Sequence, residues 1–467
     1  MGAEQRFFAP QAWVAGAWAQ DVLLVAGADG HWAEVLPNAP AERQAGVERL
    51  PGPVLPGLVN AHGHAFQRAI AGLTERSTGD QDDFWRWRDR MYAVALRITP
   101  AQLEAVATFL YGELLAAGYT QVCEFHYLHN APDGTAYADS AEMASALVRA
   151  AQSAGIGLTL LPTLYMRAGF GAAGLRDDQR RFASTPDSVL RIAQTAARAG
   201  GLVSAGVALH SLRAVPPGAM RELCTGVPAG WPVHIHIAEQ VQEVQDCQLQ
   251  LGQRPIEWLL ANAHVDARWN LVHATHATPD ELAALRQREA AIVLCPTTEG
   301  NLGDGVFDLP TWLGASGRWS IGSDSHVGRS WCEELRLLEY SQRFALRQRN
   351  VAGRAALQES TAAALFEGAL EGGSAAAGRP LGGLARGQRA DFQVIDPESP
   401  ALVGVPDDHL LDALVFSSPG RAPSRVYVAG QRTVNHGTGE AFGAAMKALW
   451  NAPRGDTIAG STKGVGR

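Results

Sequence analysis

From residue 58 onward the chain repeats one pattern, a short β-rich run followed by a stretch whose apolar residues recur at helical spacing. The runs cover residues 58–62, 120–126, 157–163, 203–210, 231–239, 270–276, 291–297 and 319–324. Between them lie Ala-, Leu-, Arg- and Glu-rich segments such as 100–117, 140–154, 186–200 and 279–289. Three of these open on a threonine cap before a first-turn proline: Thr99-Pro100, Thr185-Pro186 and Thr278-Pro279. Strand and helix alternating about eight times predict an α/β architecture, a (β/α)8 TIM barrel. A doubly wound open sheet is the competing arrangement.

The flanks read differently. Residues 1–56 hold β-type runs at 13–18, 22–26 and 47–54, and residues 380–440 hold another set, 384–396 and 425–434. Neither flank is large enough to bury a core alone. They are expected to be two halves of one small composite β-sandwich domain beside a barrel of residues 57–379. The segment 368–378 reads as a helix ending at the crossing point, and 441–467 as a C-terminal helix and tail, frayed after Pro453.

Composition narrows the function. A net charge of −8 without a basic cluster disfavours nucleic acid as a partner. No apolar run reaches membrane-spanning length, and the N-terminus lacks a signal layout, so a cytoplasmic protein is expected. Five scattered cysteines without a CxxC pair agree with reduced thiols. The only lysines are Lys447 and Lys463, so no Schiff base, P-loop or lysine-bridged metal pair can be built from the first 446 residues.

Histidines collect at the ends of the predicted strands, where barrel active sites gather. His62 and His64 lie two apart on one strand face, with Gly63 removing bulk between them. In the run 233–239, Val233, Ile235 and Ile237 point outward, which turns His234 and His236 inward. Either one offers a third ligand, and Glu239 lies just past the strand end, where a proton-transfer carboxylate is useful. His273 ends the next strand and Asp324 the last. Three histidines and one aspartate, with coordination left open for water, make a hydrolytic metal site.

These pieces together, PGLVNAHGH (56–64), HIHIAE (234–239), LVHATH (271–276), VLCPTTEGNLGDG (293–305) and SIGSDSH (320–326), resemble the deaminase branch of the amidohydrolase superfamily. The resemblance implies a metallo-dependent hydrolase barrel with His62, His64, His236 and Asp324 as ligands. It also implies Glu239, His273 and Asp324 as the catalytic proton-transfer groups. Because the barrel has no lysine to form a bridging carbamate, the one-metal type is expected: one Zn2+ per subunit, with Fe2+ or Mn2+ also compatible. The family usually pairs into homodimers.

Substrate selection rests on positive groups near the strand ends. Gln67 and Arg68 follow His64, Arg88 lies in the Trp-rich segment 83–92, Tyr127 follows the second strand, and His210 and Arg213 end the fourth. Arginine forks bind carboxylates in bidentate fashion. This set resembles the histidine-degradation deiminases, and by that resemblance Gln67, Arg88, Tyr127, His210 and Arg213 hold the two carboxylates of a small dicarboxylate amidine. Taken singly, Arg86, Arg88 and Arg90 also read as solvated loop charges, whereas Arg213 reads as a site residue. His126, His129 and His326 read as orienting or structural, and Trp85 and Trp87 as subunit or lid packing. The competing functions are a zinc aminohydrolase of a purine or nucleoside, which calls for aromatic stacking in place of the arginines, and a non-catalytic barrel scaffold.

Overall fold

The eight runs form parallel strands at Leu58–Gly63, Tyr119–His126, Gly157–Leu164, Val203–Ala205 with Val207–Leu209, Val233–Ile237, Trp269–His273, Ala291–Leu294 and Trp319–Ile321. A computed structural model of the chain describes residues 3–76, 84–417, 423–434 and 439–451, without the side chains of 84–86. Asp83, the side chains of Trp85 and Arg86, and the tail after Pro453 lie outside the described residues.

Each strand pairs in parallel with the next around the sheet. An open sheet would leave the first and last strands unpaired. Instead Gly63 bridges Asp324. The Asp324 N–H donates to the His62 carbonyl at 3.0 Å, and the His64 N–H donates to the Asp324 carbonyl at 3.1 Å. Beside this seam, the Asn60 amide donates to Ser323 Oγ at 2.7 Å and accepts the Ser323 N–H at 2.8 Å. The barrel is nearly closed, and its strands are buried throughout, as parallel strands covered by helices require.

The capping readings hold at atomic detail. Thr99, Thr185 and Thr278 each accept the N–H three residues on, from Gln102, Ser188 and Glu281. Those three residues return a side-chain acceptor to the cap N–H. The helices they start run Pro100–Ala116, Pro186–Ala197 and Pro279–Gln287.

Several boundaries differ from the sequence reading. The run 203–210 breaks at Gly206, whose N–H turns to the Leu160 carbonyl. Run 270–276 stops at His273 because His273 and Ala274 adopt left-handed conformations (φ 70° and 49°). Run 13–18 is a hairpin turn through Ala15 and Gly16 rather than a strand, and it joins Gln5–Val14 to Ala17–Ala26. Run 47–54 yields only Glu48–Arg49 and Val54–Pro56, since Pro51 and Pro53 cannot donate to a ladder.

Both flanks enter one eight-stranded sheet. Strand Phe392–Val394 joins Val54–Pro56 from the N-terminal half and Arg425–Val428 from the C-terminal half. Phe392 stacks on Tyr427 at 4.2 Å and meets Phe7 edge-on at 5.1 Å. The sheet is fastened to the barrel floor by Arg389, which grips Asp391 with two nitrogens and donates to Gln121 Oε1 at 2.9 Å. Helix Thr361–Ala377 ends at Gly378, in the left-handed region, as the segment 368–378 led one to expect. All five cysteines are free. Among the described residues no helix is long and apolar enough to cross a membrane.

The seam leaves no room for a side chain at Gly322, where a Cβ would stand 2.7 Å from both Cβ and the carbonyl oxygen of His62. Gly322→Ala is expected to destabilise the fold by about 1–3 kcal/mol, read as a lower midpoint in chemical denaturation.

Candidate active site

At the C-terminal mouth of the barrel the strand-end residues converge. Asp324 Oδ1 lies 3.4 Å from His62 Nε2 and 3.2 Å from His64 Nε2. The Nε2 atoms of His62 and His236 are 3.0 Å apart. His64 donates its Nδ1 proton to the Phe125 carbonyl at 2.8 Å, and His236 donates its own to the His210 carbonyl at 3.0 Å. Each therefore presents a bare Nε2 lone pair inward, the orientation a metal ligand needs. With His236 Nε2 bare, a proton on His62 Nε2 bridges the two rings, and a cation between them would displace it. Burial lowers the pKa of His62 to about 3, opposed by Asp324, and holds His236 far below its ordinary value. Both are neutral, as ligating imidazoles must be. Burial pushes the Asp324 carboxyl up, but His62 and His64 outweigh it and keep it ionised. This donor set fits one divalent cation.

His273 stands beside this group, its Nε2 3.8 Å from both Asp324 Oδ2 and Glu239 Oε1. Burial opposes its protonation, yet Glu239, Glu299 and Asp324 prevail and raise its pKa to about 10. The backbone at three of these positions is strained: Ala238, His273 and Asp324 have φ of 53°, 70° and 44°. Left-handed conformations at non-glycine residues cluster where side chains must be aimed at a site.

A cavity opens over the cluster. Gln67, Arg88, Tyr127, His210 and Arg213, all expected from the sequence to touch substrate, line it together with His64, His236, Glu239, His273 and Asp324. The Gln67 amide donates to the Tyr127 hydroxyl at 3.0 Å. The ring of His210 packs against Tyr165 at 4.3 Å, and burial keeps it neutral. Trp87 lines the cavity as well, so this aromatic belongs to the site rather than to packing alone.

Sequence reasoning missed four participants. Glu299 accepts from His273 Nδ1 at 3.2 Å and from the Cys295 N–H at 2.8 Å. It lies inside the stretch 293–305, and the only signal was a carboxylate at the start of a helix. Glu243 accepts the N–H groups of Ala238 and Glu239, fixing the turn that carries Glu239. Tyr165 lies in the loop after the third strand, where no periodicity marks a residue's direction, and Tyr92 lies on helix Phe84–Ala95, where the sequence reading expects a loop.

Other strand-end histidines stay out of the site. His126 pairs with His129 at 5.2 Å, and His129 donates to the Thr163 carbonyl. His234 donates from Nε2 to the Ala376 carbonyl at 2.9 Å, toward the barrel floor. His326 shares a hydrogen bond with Ser323 and packs against Gly63, where a Cβ would meet it at 2.7 Å.

The sequence profile of the Amidohydrolase family matches residues 54–433. The chain belongs to the amidohydrolase family. Members are typically metal-dependent hydrolases acting on C–N bonds, in keeping with the His/Asp group described above. This amidohydrolase is 48% identical over 436 residues to the formimidoylglutamate deiminase of Pseudomonas aeruginosa, covering 92% of this chain and 94% of that one. It is 24% identical to the 5-methylthioadenosine/S-adenosylhomocysteine deaminase of Shouchella clausii, over 81% and 80% of the two chains. Among solved structures, an amidohydrolase from Brucella melitensis superposes with a TM-score of 0.89 at 42% identity, covering 95% of this chain and 99% of that one. A zinc-bound adenosine deaminase from Xanthomonas campestris shares the fold, with a TM-score of 0.77 at 22% identity over 96% and 98%.

The two inward histidines of the fifth strand separate cleanly by experiment. His236→Ala is expected to abolish stoichiometric metal in elemental analysis, whereas His234→Gln, which keeps a donor for Ala376, retains it.

Proposed function

We propose that this amidohydrolase hydrolyses N-formimidoyl-L-glutamate to N-formyl-L-glutamate and ammonia, a step of L-histidine catabolism, using one zinc ion per chain. The observation that carries the reading is Arg213. Its half-buried guanidinium lines the cavity beside the ligand group, and among the described residues it makes no hydrogen bond or close ion pair. A desolvated cation in that position calls for an anion, and a guanidinium fork suits a carboxylate. Arg88 lies in the same cavity, giving a dicarboxylate two cationic contacts. The name of the Pseudomonas aeruginosa relative supports the same substrate.

His62, His64, His236 and Asp324 would hold the ion. When bound, a divalent ion makes water more acidic and offsets the carboxylates that otherwise keep His273 protonated. Glu299 fixes the His273 tautomer through Nδ1, so that Nε2 faces the reacting atoms between Glu239 and Asp324. His273 or Asp324 takes a proton from the attacking water. The oxygen bonds to the formimidoyl carbon, Glu239 shuttles the protons lost by the water to the terminal nitrogen, and the C–N bond breaks to release ammonia. Glu239 suits this transfer because Glu243 pins its backbone while its carboxylate stays in the cavity.

Free cysteines and the absence of a membrane-length helix among the described residues support a cytoplasmic enzyme, and the family resemblance supports a homodimer. An ammonia-release assay across formimidoyl amino acids and purines tests the reading. Turnover is expected with formimidoylglutamate, and preferential release from a purine would replace it with the aminohydrolase alternative. Glu239→Gln and His273→Asn are each expected to lower kcat by about 10²–10⁴-fold with metal content unchanged. Arg213→Met is expected chiefly to raise KM, seen as a fall in kcat/KM for the dicarboxylate.

A further inference from the structure

The end of the cavity away from the metal ligands is organised by a residue that touches neither metal nor reacting atoms. Gln179, in the 3-10 turn Asp177–Phe182, is only 2% exposed. Its Oε1 accepts the Arg176 backbone N–H at 3.2 Å, which settles which way the amide faces. The amide NH2 then donates to the Tyr165 hydroxyl at 3.0 Å and to the Tyr92 hydroxyl at 3.3 Å. Arg176 adds a further donor to Tyr92 at 3.4 Å.

A phenol oxygen that accepts in this way must send its own proton elsewhere. Among the described residues neither hydroxyl has an acceptor for that proton. Both rings line the cavity, together with Arg88 and Arg213. The carboxylates lining it, Glu239 and Asp324, belong to the metal end. Burial keeps Tyr165 protonated, and the charges of Arg213, Arg176 and Arg88 all bear on it. The two phenols therefore offer the cavity hydrogen-bond donors that no described residue accepts, with Arg213 beside them.

We propose that Tyr92 and Tyr165 donate to a substrate carboxylate alongside Arg88 and Arg213, and that Gln179 is the positioning residue that turns both phenols into donors. This rests on the dicarboxylate reading above. It adds two binding groups and explains selectivity: an uncharged ring nitrogen or carbonyl could use one such donor, but only a carboxylate, with two oxygens and a charge, satisfies the whole set.

The test compares wild type with Tyr165→Phe, Tyr92→Phe and Gln179→Glu, whose added carboxylate would draw the phenol protons away from the cavity. Glutarate binding is measured by calorimetry, and steady-state kinetics are run with formimidoylglutamate. Each variant is expected to weaken glutarate and raise KM by at least about tenfold, the effect of one lost hydrogen bond to a charged group. kcat is expected to stay within about threefold, since binding rather than chemistry is affected. Unchanged glutarate affinity and KM in both phenylalanine variants, or a fall in kcat alone, would overturn the proposal and leave the proposed reaction standing. If wild type releases no ammonia from formimidoylglutamate while glutarate binding still depends on the two phenols, the carboxylate site stands and the proposed reaction falls. The near-isosteric phenylalanine variants decide the matter if Gln179→Glu fails to fold.

Discussion

Two backbone hydrogen bonds at the meeting of the first and last barrel strands govern this molecule. The bond from Asp324 to the His62 carbonyl and the one from His64 to the Asp324 carbonyl close the cylinder. The same three residues supply side chains to the candidate metal centre, so closure of the fold and assembly of the ligand set are one event. A barrel that failed to close would separate Asp324 from its histidines, and a ligand set without closure has no means of forming. Glycines on both strands make this contact possible, Gly63 against His326 and Gly322 against His62.

The site divides labour between rigid and adjustable parts. The candidate ligands His62 and His236 sit on strands and His64 one residue past a strand end, and His64 and His236 are locked by hydrogen bonds to the carbonyls of Phe125 and His210. The groups proposed to transfer protons sit at or just past the strand ends, where His273, Asp324 and Ala238, the neighbour of Glu239, adopt left-handed backbone that only surrounding contacts can hold. Glu243 and Glu299 provide those contacts for Glu239 and His273. The groups proposed to recognise substrate come from the segments that follow the first four strands. Related barrels can thus keep one reaction centre while their loops change what is bound.

Much of this was legible in the sequence because two periodicities write it there. Alternation of strand and helix gave the barrel, and the two-residue period placed His62 with His64 and turned His234 and His236 inward together. Period alone could not separate the last two. Their difference lies in depth along the barrel axis, with His236 at the mouth and His234 near the carbonyl of Ala376. Glu299 escaped because its function depends on a contact to His273 on the adjacent strand, which no local pattern encodes. Tyr92, Tyr165 and Gln179 escaped for a related reason: they come from a helix, a loop and a 3-10 turn that share no period, and their meeting is settled by tertiary packing. His126 misleads in the opposite sense, since it ends a strand but faces His129 instead of the cavity.

The sheet shared by the two flanks has a bearing on how the chain reaches its native state. The Gln393 side chain and the Pro56 carbonyl that it binds are 337 residues apart in sequence. Loop-closure entropy makes such a pairing slow unless the intervening polypeptide has already condensed. During synthesis strand Val54–Pro56 leaves the ribosome early but must wait for Phe392–Val394 before that partner strand exists. Until then its edge is exposed, a window in which a chaperone or a neighbouring nascent chain can capture it.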